Sequence, residues 1–133
     1  MALQDDSDTI FAKVLNVVCD VKKTFNSCFD ASVYVKAIEV GCRQQNIKTE
    51  TDKEHYLRYR GEYVGSYKFH IVANGSVAVL VKNNDENDDA FWQCCQNAKI
   101  DGINMNDRDY SKIETQRYNR QDITFRPGSP VDC

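Results

Sequence analysis

The chain has 133 residues, of which 41% are hydrophobic and 28% are charged, a composition that excludes an intrinsically disordered protein. Seventeen lysines and arginines against twenty aspartates and glutamates give a net charge of −3, which argues against a protein built mainly on phosphate contacts. No apolar run is long enough for a membrane span, and the N-terminus lacks the layout of a secretion signal. We therefore expect an intracellular protein, cytoplasmic or nuclear, without membrane insertion.

The six cysteines form no Cys-x-x-Cys pair, and only two histidines accompany them. Structural zinc sites need such closely spaced ligands, so we predict no metal site here. In a reducing compartment the thiols are expected to stay reduced and to pack as small hydrophobic side chains.

Two amphipathic helices are predicted in the first third of the chain. Apolar residues at steps of three and four predict a helix from residue 8 to residue 23 or 24, and the same spacing predicts a second helix over residues 33–45. A polar run follows, and alternating tyrosines and basic residues then predict a half-exposed strand over residues 54–60.

The clearest local signal is a hairpin within residues 64–82. Asn74-Gly75 separates two apolar runs, and both residues tolerate the positive φ that a tight hairpin turn requires. The second run, residues 77–81, is continuously apolar and ends at Lys82, which predicts a central strand buried on both faces.

The remainder predicts a third helix and two further strands. The helix starts at Asp88 or Asp89, and the strands cover residues 103–105 and 111–118. We predict a single compact α+β domain over residues 1–133, with helices flanking a mixed sheet of four to five strands in the order ααβββαββ. Residues 119–133 hold both prolines and are predicted to form an irregular tail.

Two motifs in this order resemble the GxxExxY family of the PD-(D/E)xK nuclease-like superfamily. The first is Ser-Val-Tyr at residues 32–34, and the second is Tyr-Arg-Gly-Glu-Tyr-Val-Gly-Ser-Tyr at residues 59–67. The likeness covers residues 8–118, and it implies a restriction-endonuclease-like core over that range.

The resemblance also implies where the active-site residues should stand. Ala31 occupies the position of the family's glutamate, and His70 that of its metal-binding aspartate. Leu80 occupies the glutamate of the Glu-x-Lys signature, whose lysine is kept as Lys82. Because Mg²⁺ requires oxygen ligands, which an alanine, an imidazole and a leucine do not supply, we interpret the catalytic centre as dismantled and expect no cofactor.

The sequence thus predicts a non-catalytic module that acts as a structural or protein-interaction subunit. A protein partner or self-assembly is favoured by the mild acidity and by the tyrosine-rich strand. The alternative partner is nucleic acid, held as a phosphate backbone by a group of basic side chains. That group consists of Arg58, Arg60, Lys68 and Lys82.

A second alternative is a metal-dependent nuclease with relocated carboxylates. The candidate carboxylates near the expected site are Asp30, Glu39, Glu54 and Glu62. Under this alternative the cofactor is Mg²⁺.

Overall fold

In the computed structural model, which describes residues 7–25, 29–82, 89–106, 113–118 and 129–131, helices flank both faces of one sheet. The helices are α1 (Ser7–Phe25), α2 (Ala31–Gln44) and α3 (Asp89–Ala98). The strands are β1 (Thr49–Tyr59), β2 (Glu62–Ala73), β3 (Val77–Lys82), β4 (Asp101–Asn106), β5 (Ile113–Gln116) and β6 (Ser129–Val131).

The first two helices form where the sequence predicts them, to within two residues at each end. Their apolar stripes are buried: Val14 and Val18 in α1, and Tyr34, Ile38 and Cys42 in α2, have no exposed surface. Within the described part of the chain, none of the helices combines the length and the apolar character needed to cross a membrane.

The sheet is mixed, with the strand order β1-β2-β3-β4-β5-β6. β3 and β4 run parallel, and every other neighbouring pair is antiparallel. The predicted hairpin turn is present, because Asn74 and Gly75 have φ values of 55° and 66° and the Ser76 N–H donates to the Ala73 carbonyl. The predicted α+β fold with a mixed sheet flanked by helices is confirmed.

Each face of the sheet has its own apolar cluster. α1 and α2 cover the face that carries Val77, Val79 and Val81, whereas α3 covers the face that carries Ala78 and Leu80. The continuously apolar β3 therefore contributes to both clusters, as its sequence predicts.

Part of the first hairpin extends beyond the sheet. β2 pairs with β3 only through residues 71–73, but it pairs with β1 along nearly its whole length. Residues 53–59 and 62–69 therefore form a two-stranded segment, called the ribbon below. At its base Asp52 has a φ of 53°, and Phe69 and Val72, three residues apart, belong to the same cluster. The normal alternation of side chains is broken there.

The two edge strands differ most from the sequence prediction. β1 begins at Thr49, within a run predicted as a polar connection, because an edge strand with two exposed faces shows no apolar alternation. Residues Ser129–Val131 of the predicted irregular tail form β6, so the sheet has six strands rather than four to five. Pro130 argued against a strand, but β6 lies at the sheet edge, where proline is tolerated. Residues 119–128 of that tail lie outside the described residues.

The cysteines within the described residues divide into two groups, whereas Cys28 and Cys133 lie outside those residues. Cys42, Cys94 and Cys95 are free and buried, in line with the prediction that the thiols pack as hydrophobic side chains. Cys19 is disulfide-bonded, so the prediction of reduced thiols is wrong at this position. The spacing of cysteines in a sequence does not by itself reveal which of them pair.

Candidate functional site

Leu80 and His70, at two positions where the resemblance places metal-binding carboxylates, lie on neighbouring strands β3 and β2. Leu80 is 4% exposed and belongs to the apolar cluster beneath α3, which also contains Phe91 and Trp92. A charged group at position 80 would lose its hydration among these apolar side chains. Leu80 therefore acts here as a core residue.

His70 is half-buried at the point where the ladder between β2 and β3 ends. Its Nδ1 accepts a hydrogen bond from the Val81 backbone N–H at 3.4 Å, just beyond the last strand pair, Ile71 with Val79. Since Nδ1 is the acceptor, the neutral ring carries its proton on Nε2. The imidazole thus replaces a backbone acceptor for β3, which is a structural role for this side chain.

Ala31 is the first residue of α2 and packs against the cluster beneath α1 and α2, not against the cluster that contains Leu80. The preceding segment is held by aromatic contacts, because the Phe29 N–H donates to the Tyr34 hydroxyl at 3.2 Å and the Phe25 ring contacts both Phe29 and Tyr34. The structure therefore does not bring Ala31 into the same cluster as Leu80.

Lys82 is the last residue of β3, where it pairs in register with Asn106 of β4. Its side chain lies outside the part of the chain that the structure describes. Its role in a groove thus stays a prediction.

One polar pair beside Leu80 was missed by the sequence analysis. In the sheet register Leu80 lies opposite Asn104 of β4, and Asn104 lies opposite Glu114 of β5. Asn104 is 1% exposed, and its Nδ2 donates to Glu114 Oε1 at 3.4 Å. The signal available in the sequence was a lone asparagine between Ile103 and Met105, which alternation alone assigns to a solvent-facing position.

The carboxylates proposed as relocated ligands do not converge. Asp30 precedes α2, and Glu39 forms an ion pair with Lys36 on the same helix at 3.0 Å. Glu54 and Glu62 are exposed on the ribbon. Among the described residues, no group of three or more histidine, cysteine, aspartate or glutamate side chains could hold a metal ion.

A family model described as the PD-(D/E)XK nuclease superfamily matches residues 8–105, from α1 to β4. The chain belongs to this superfamily. No curated protein and no solved structure matches it. The match includes both strands of the ribbon as well as His70 and Leu80.

The basic residues predicted to hold nucleic acid are only partly brought together in this superfamily member. Arg58 and Arg60 lie near the tip of the ribbon, where the Arg60 guanidinium stacks on the Tyr59 ring at 5.1 Å from its centroid. Lys68 pairs with Glu54, four residues from Arg58 and so about 13 Å away along the strand. The described side chains form no continuous basic strip.

The tyrosines of the ribbon are unusually exposed for large aromatic side chains. Tyr56, Tyr59 and Tyr63 are 56–60% exposed, and the rings of Tyr56 and Tyr63 contact each other with centroids 5.7 Å apart. Tyr67 instead packs on Phe69 at the ribbon base. Exposed tyrosines of this kind are enriched at protein interfaces.

The vicinal thiols of α3 are the remaining reactive groups near the site. Burial raises the pKa of the Cys94 thiol, and burial together with the charges of Cys94 and Asp101 raises that of Cys95. Thiolates rather than thiols are nucleophilic, so both side chains are inert near neutral pH.

Two other features lie apart from these positions. A groove of about 820 Å³ runs between α1 and α2, and none of the predicted site residues lines it. At the start of β4, Asp101 forms an ion pair with Arg117, Nε to Oδ2 at 3.0 Å, and accepts the Tyr118 N–H at 2.7 Å. Arg117 also pairs with Asp8 of α1, so this contact ties the helix to the sheet.

Proposed function

We propose that this chain is a non-catalytic PD-(D/E)XK protein, related to the GxxExxY proteins, that works as a structural or protein-interaction subunit. The observation that carries the proposal is the burial of Leu80 beneath α3, at the position where a nuclease of this type needs a metal-binding carboxylate. The bond from the Val81 N–H to His70 supports it, because it engages one imidazole nitrogen in the backbone of the sheet.

The chemistry of the metal supports the same conclusion. Mg²⁺ needs several oxygen ligands in nearly octahedral geometry, and it activates water only when the protein holds it beside the scissile phosphate. Ala31 and Leu80 carry no oxygen in their side chains, and Ala31 packs in a different cluster. Glu114, the carboxylate in the same sheet row, already accepts from Asn104.

The ribbon supports a protein partner over nucleic acid. Its exposed aromatic rings provide contact area, and its charges are mixed rather than uniformly basic. The whole chain also carries a net charge of −3.

A nuclease assay tests the proposal directly. We expect no cleavage of single- or double-stranded DNA or RNA in the presence of Mg²⁺ or Mn²⁺. Metal-dependent cleavage that is lost in Lys82→Ala, but kept in the control Lys36→Ala at an exposed position of α2, would overturn the proposal and establish relocated ligands.

A filter-binding titration over a salt series tests the choice of partner. A protein-interaction subunit shows no duplex affinity at any salt concentration. Affinity that falls steeply with salt and is reduced in the Arg58→Ala/Arg60→Ala variant would instead assign the ribbon to a phosphate backbone.

A further inference from the structure

Among the described residues, no strand pairs with β1 on the side opposite β2, so β1 presents a long free edge. It is the first strand of the sheet, and its 11 residues exceed the usual strand length of about 5–6. In an antiparallel pair, alternate residues of an edge strand direct their N–H and C=O groups away from the neighbouring strand. Such an edge is a template for pairing with another chain unless charges, kinks or bulges prevent it.

The kinks lie at the ends of the β1 edge, and the bulge lies on the other strand. Asp52 and Arg60 have left-handed φ values of 53° and 52°, and they enclose the seven residues 53–59. The register shifts between Leu57 and Arg58, and the extra residue is Val64 on β2. Residues 53–59 of β1 therefore form an uninterrupted edge whose midpoint is Tyr56.

The charges along this edge are self-complementary. Acidic Asp52 and Glu54 precede the midpoint, and basic Arg58 and Arg60 follow it. Glu54 and Arg58 are exposed, and the strand pleat places both on the same face of the ribbon as Tyr56. A second copy in antiparallel orientation would bring Glu54 of one edge against Arg58 of the other.

We propose that two copies of this chain associate through β1, antiparallel, with a two-fold axis at Tyr56. This pairing rests on the proposed protein-contact function, and its partner is a second copy of the same chain. Residues whose backbone groups point outward must face each other, so the axis passes through a residue and not between two residues. Moving the axis to His55 or Leu57 shortens the regular overlap from seven residues to five.

The register centred on Tyr56 opposes no like charges. Glu54 faces Arg58 of the second copy, and the same ion pair recurs by symmetry. Lys53 faces Tyr59 of the second copy, a favourable cation–π arrangement. Tyr56 faces its own symmetry mate, so the contact between Tyr56 and Tyr63 becomes part of a four-ring cluster.

Sedimentation equilibrium of the full chain over a concentration series tests this pairing. We expect a monomer–dimer equilibrium between 15.3 kDa and twice that mass. Glu54→Arg places like charges opposite each other at two symmetric sites, so it should weaken the dimer about tenfold or more. The double variant Glu54→Arg/Arg58→Glu exchanges the charges and should restore dimerisation to nearly the wild-type value.

Glu62→Arg is the matched control, because it makes the same change at an exposed position of the ribbon that is not on the β1 edge. It should leave the dimer constant unchanged, and circular dichroism should show that every variant is folded. A chain that is monomeric throughout the series, a dimer insensitive to Glu54→Arg, or a double variant without restored pairing would each overturn the inference. A dimer that cleaves nucleic acid would overturn the proposed function but not the pairing. A monomer without nuclease activity would overturn the pairing but not the proposed function.

Discussion

β2 passes through two different environments, and the contrast separates the stable part of the molecule from its contact surface. Residues 71–73 pair with strands on both sides and are buried. From Glu62 to Lys68 the same strand pairs only with β1, and most of its residues are exposed. The part of the molecule outside the ribbon, called the body below, therefore holds β2 between two strands. In the ribbon the same strand has β1 as its one neighbour among the described strands.

This difference indicates which positions are free to carry function. In the body, the two apolar clusters occupy both faces of β3, and they include Leu80, at a position where the resemblance implies a metal-binding carboxylate. In the ribbon, tyrosines and charged side chains project into solvent, where substitution has little effect on folding. Pairs of substitutions, one in the body and one in the ribbon, test whether the two regions contribute differently to the free energy of unfolding.

The largest effect is expected for Leu80→Glu in the body. A carboxylate in the apolar cluster beneath α3 loses its hydration, so the free energy of unfolding should fall by about 3–5 kcal/mol. The matched ribbon variant Val64→Glu, at a residue that is 63% exposed, should change it by less than about 0.5 kcal/mol. Urea unfolding measures both values, and similar small losses would mean that position 80 is open to solvent.

A somewhat smaller loss in the free energy of unfolding is expected when the acidic partner of an ion pair is made neutral. Asp101→Asn removes the buried carboxylate that pairs with Arg117, which should lower the free energy of unfolding by about 2–3 kcal/mol. Glu50→Gln makes the same change in the exposed pair with Lys53 and should cost less than about 0.5 kcal/mol. Thermal and urea unfolding would contradict the contrast if the two variants were equally stable.

The third prediction concerns the pH dependence of the body. Burial raises the pKa of the Cys42 thiol from 9.0 to about 11, so the folded state keeps a proton that the unfolded chain releases in this window. The resulting stabilisation is complete below pH 9 and should decline by about 2 kcal/mol as the pH rises to 11. Urea titrations of wild type and Cys42→Ala should diverge in slope over this range, and parallel curves would exclude the buried thiol as the cause.

The smallest effect on folding is expected for Tyr56→Ala in the ribbon. At concentrations where the chain is monomeric, it should change the free energy of unfolding by less than about 0.5 kcal/mol, because the side chain is 56% exposed. Tyr34→Ala removes a fully buried ring and should cost about 3–5 kcal/mol. Comparable losses in the two tyrosine variants would show that the ribbon contributes to the core.

The sequence predicts the body well, because the relevant signals are local. Asn74-Gly75 specifies its turn by backbone chemistry, and the apolar run of residues 77–81 indicates a strand buried on both faces. Helical spacing likewise locates α1 and α2 to within two residues. The sequence prediction fails mainly at the edge strands, because β1 lacks apolar alternation at its start and β6 contains Pro130.

The candidate site is less predictable, because its contacts join residues that are distant in sequence. The bond from the Val81 N–H to His70 exists only because the ladder between β2 and β3 ends there. The contact between Asn104 and Glu114 depends on the register of β4 and β5, which no local pattern fixes. Asp52 and Arg60 set the limits of the regular β1 edge, and the sequence does not indicate their left-handed φ values.

Titration with Mn²⁺, followed by electron paramagnetic resonance of the free ion, tests whether the protein lacks a divalent-metal site at the position of Leu80. Because the position of Leu80 is enclosed by apolar side chains, the protein should leave the free Mn²⁺ signal undiminished at every concentration. Saturable loss of that signal at one ion per chain, reversed by Mg²⁺ and weakened in Glu114→Gln but not in Glu62→Gln, would contradict it.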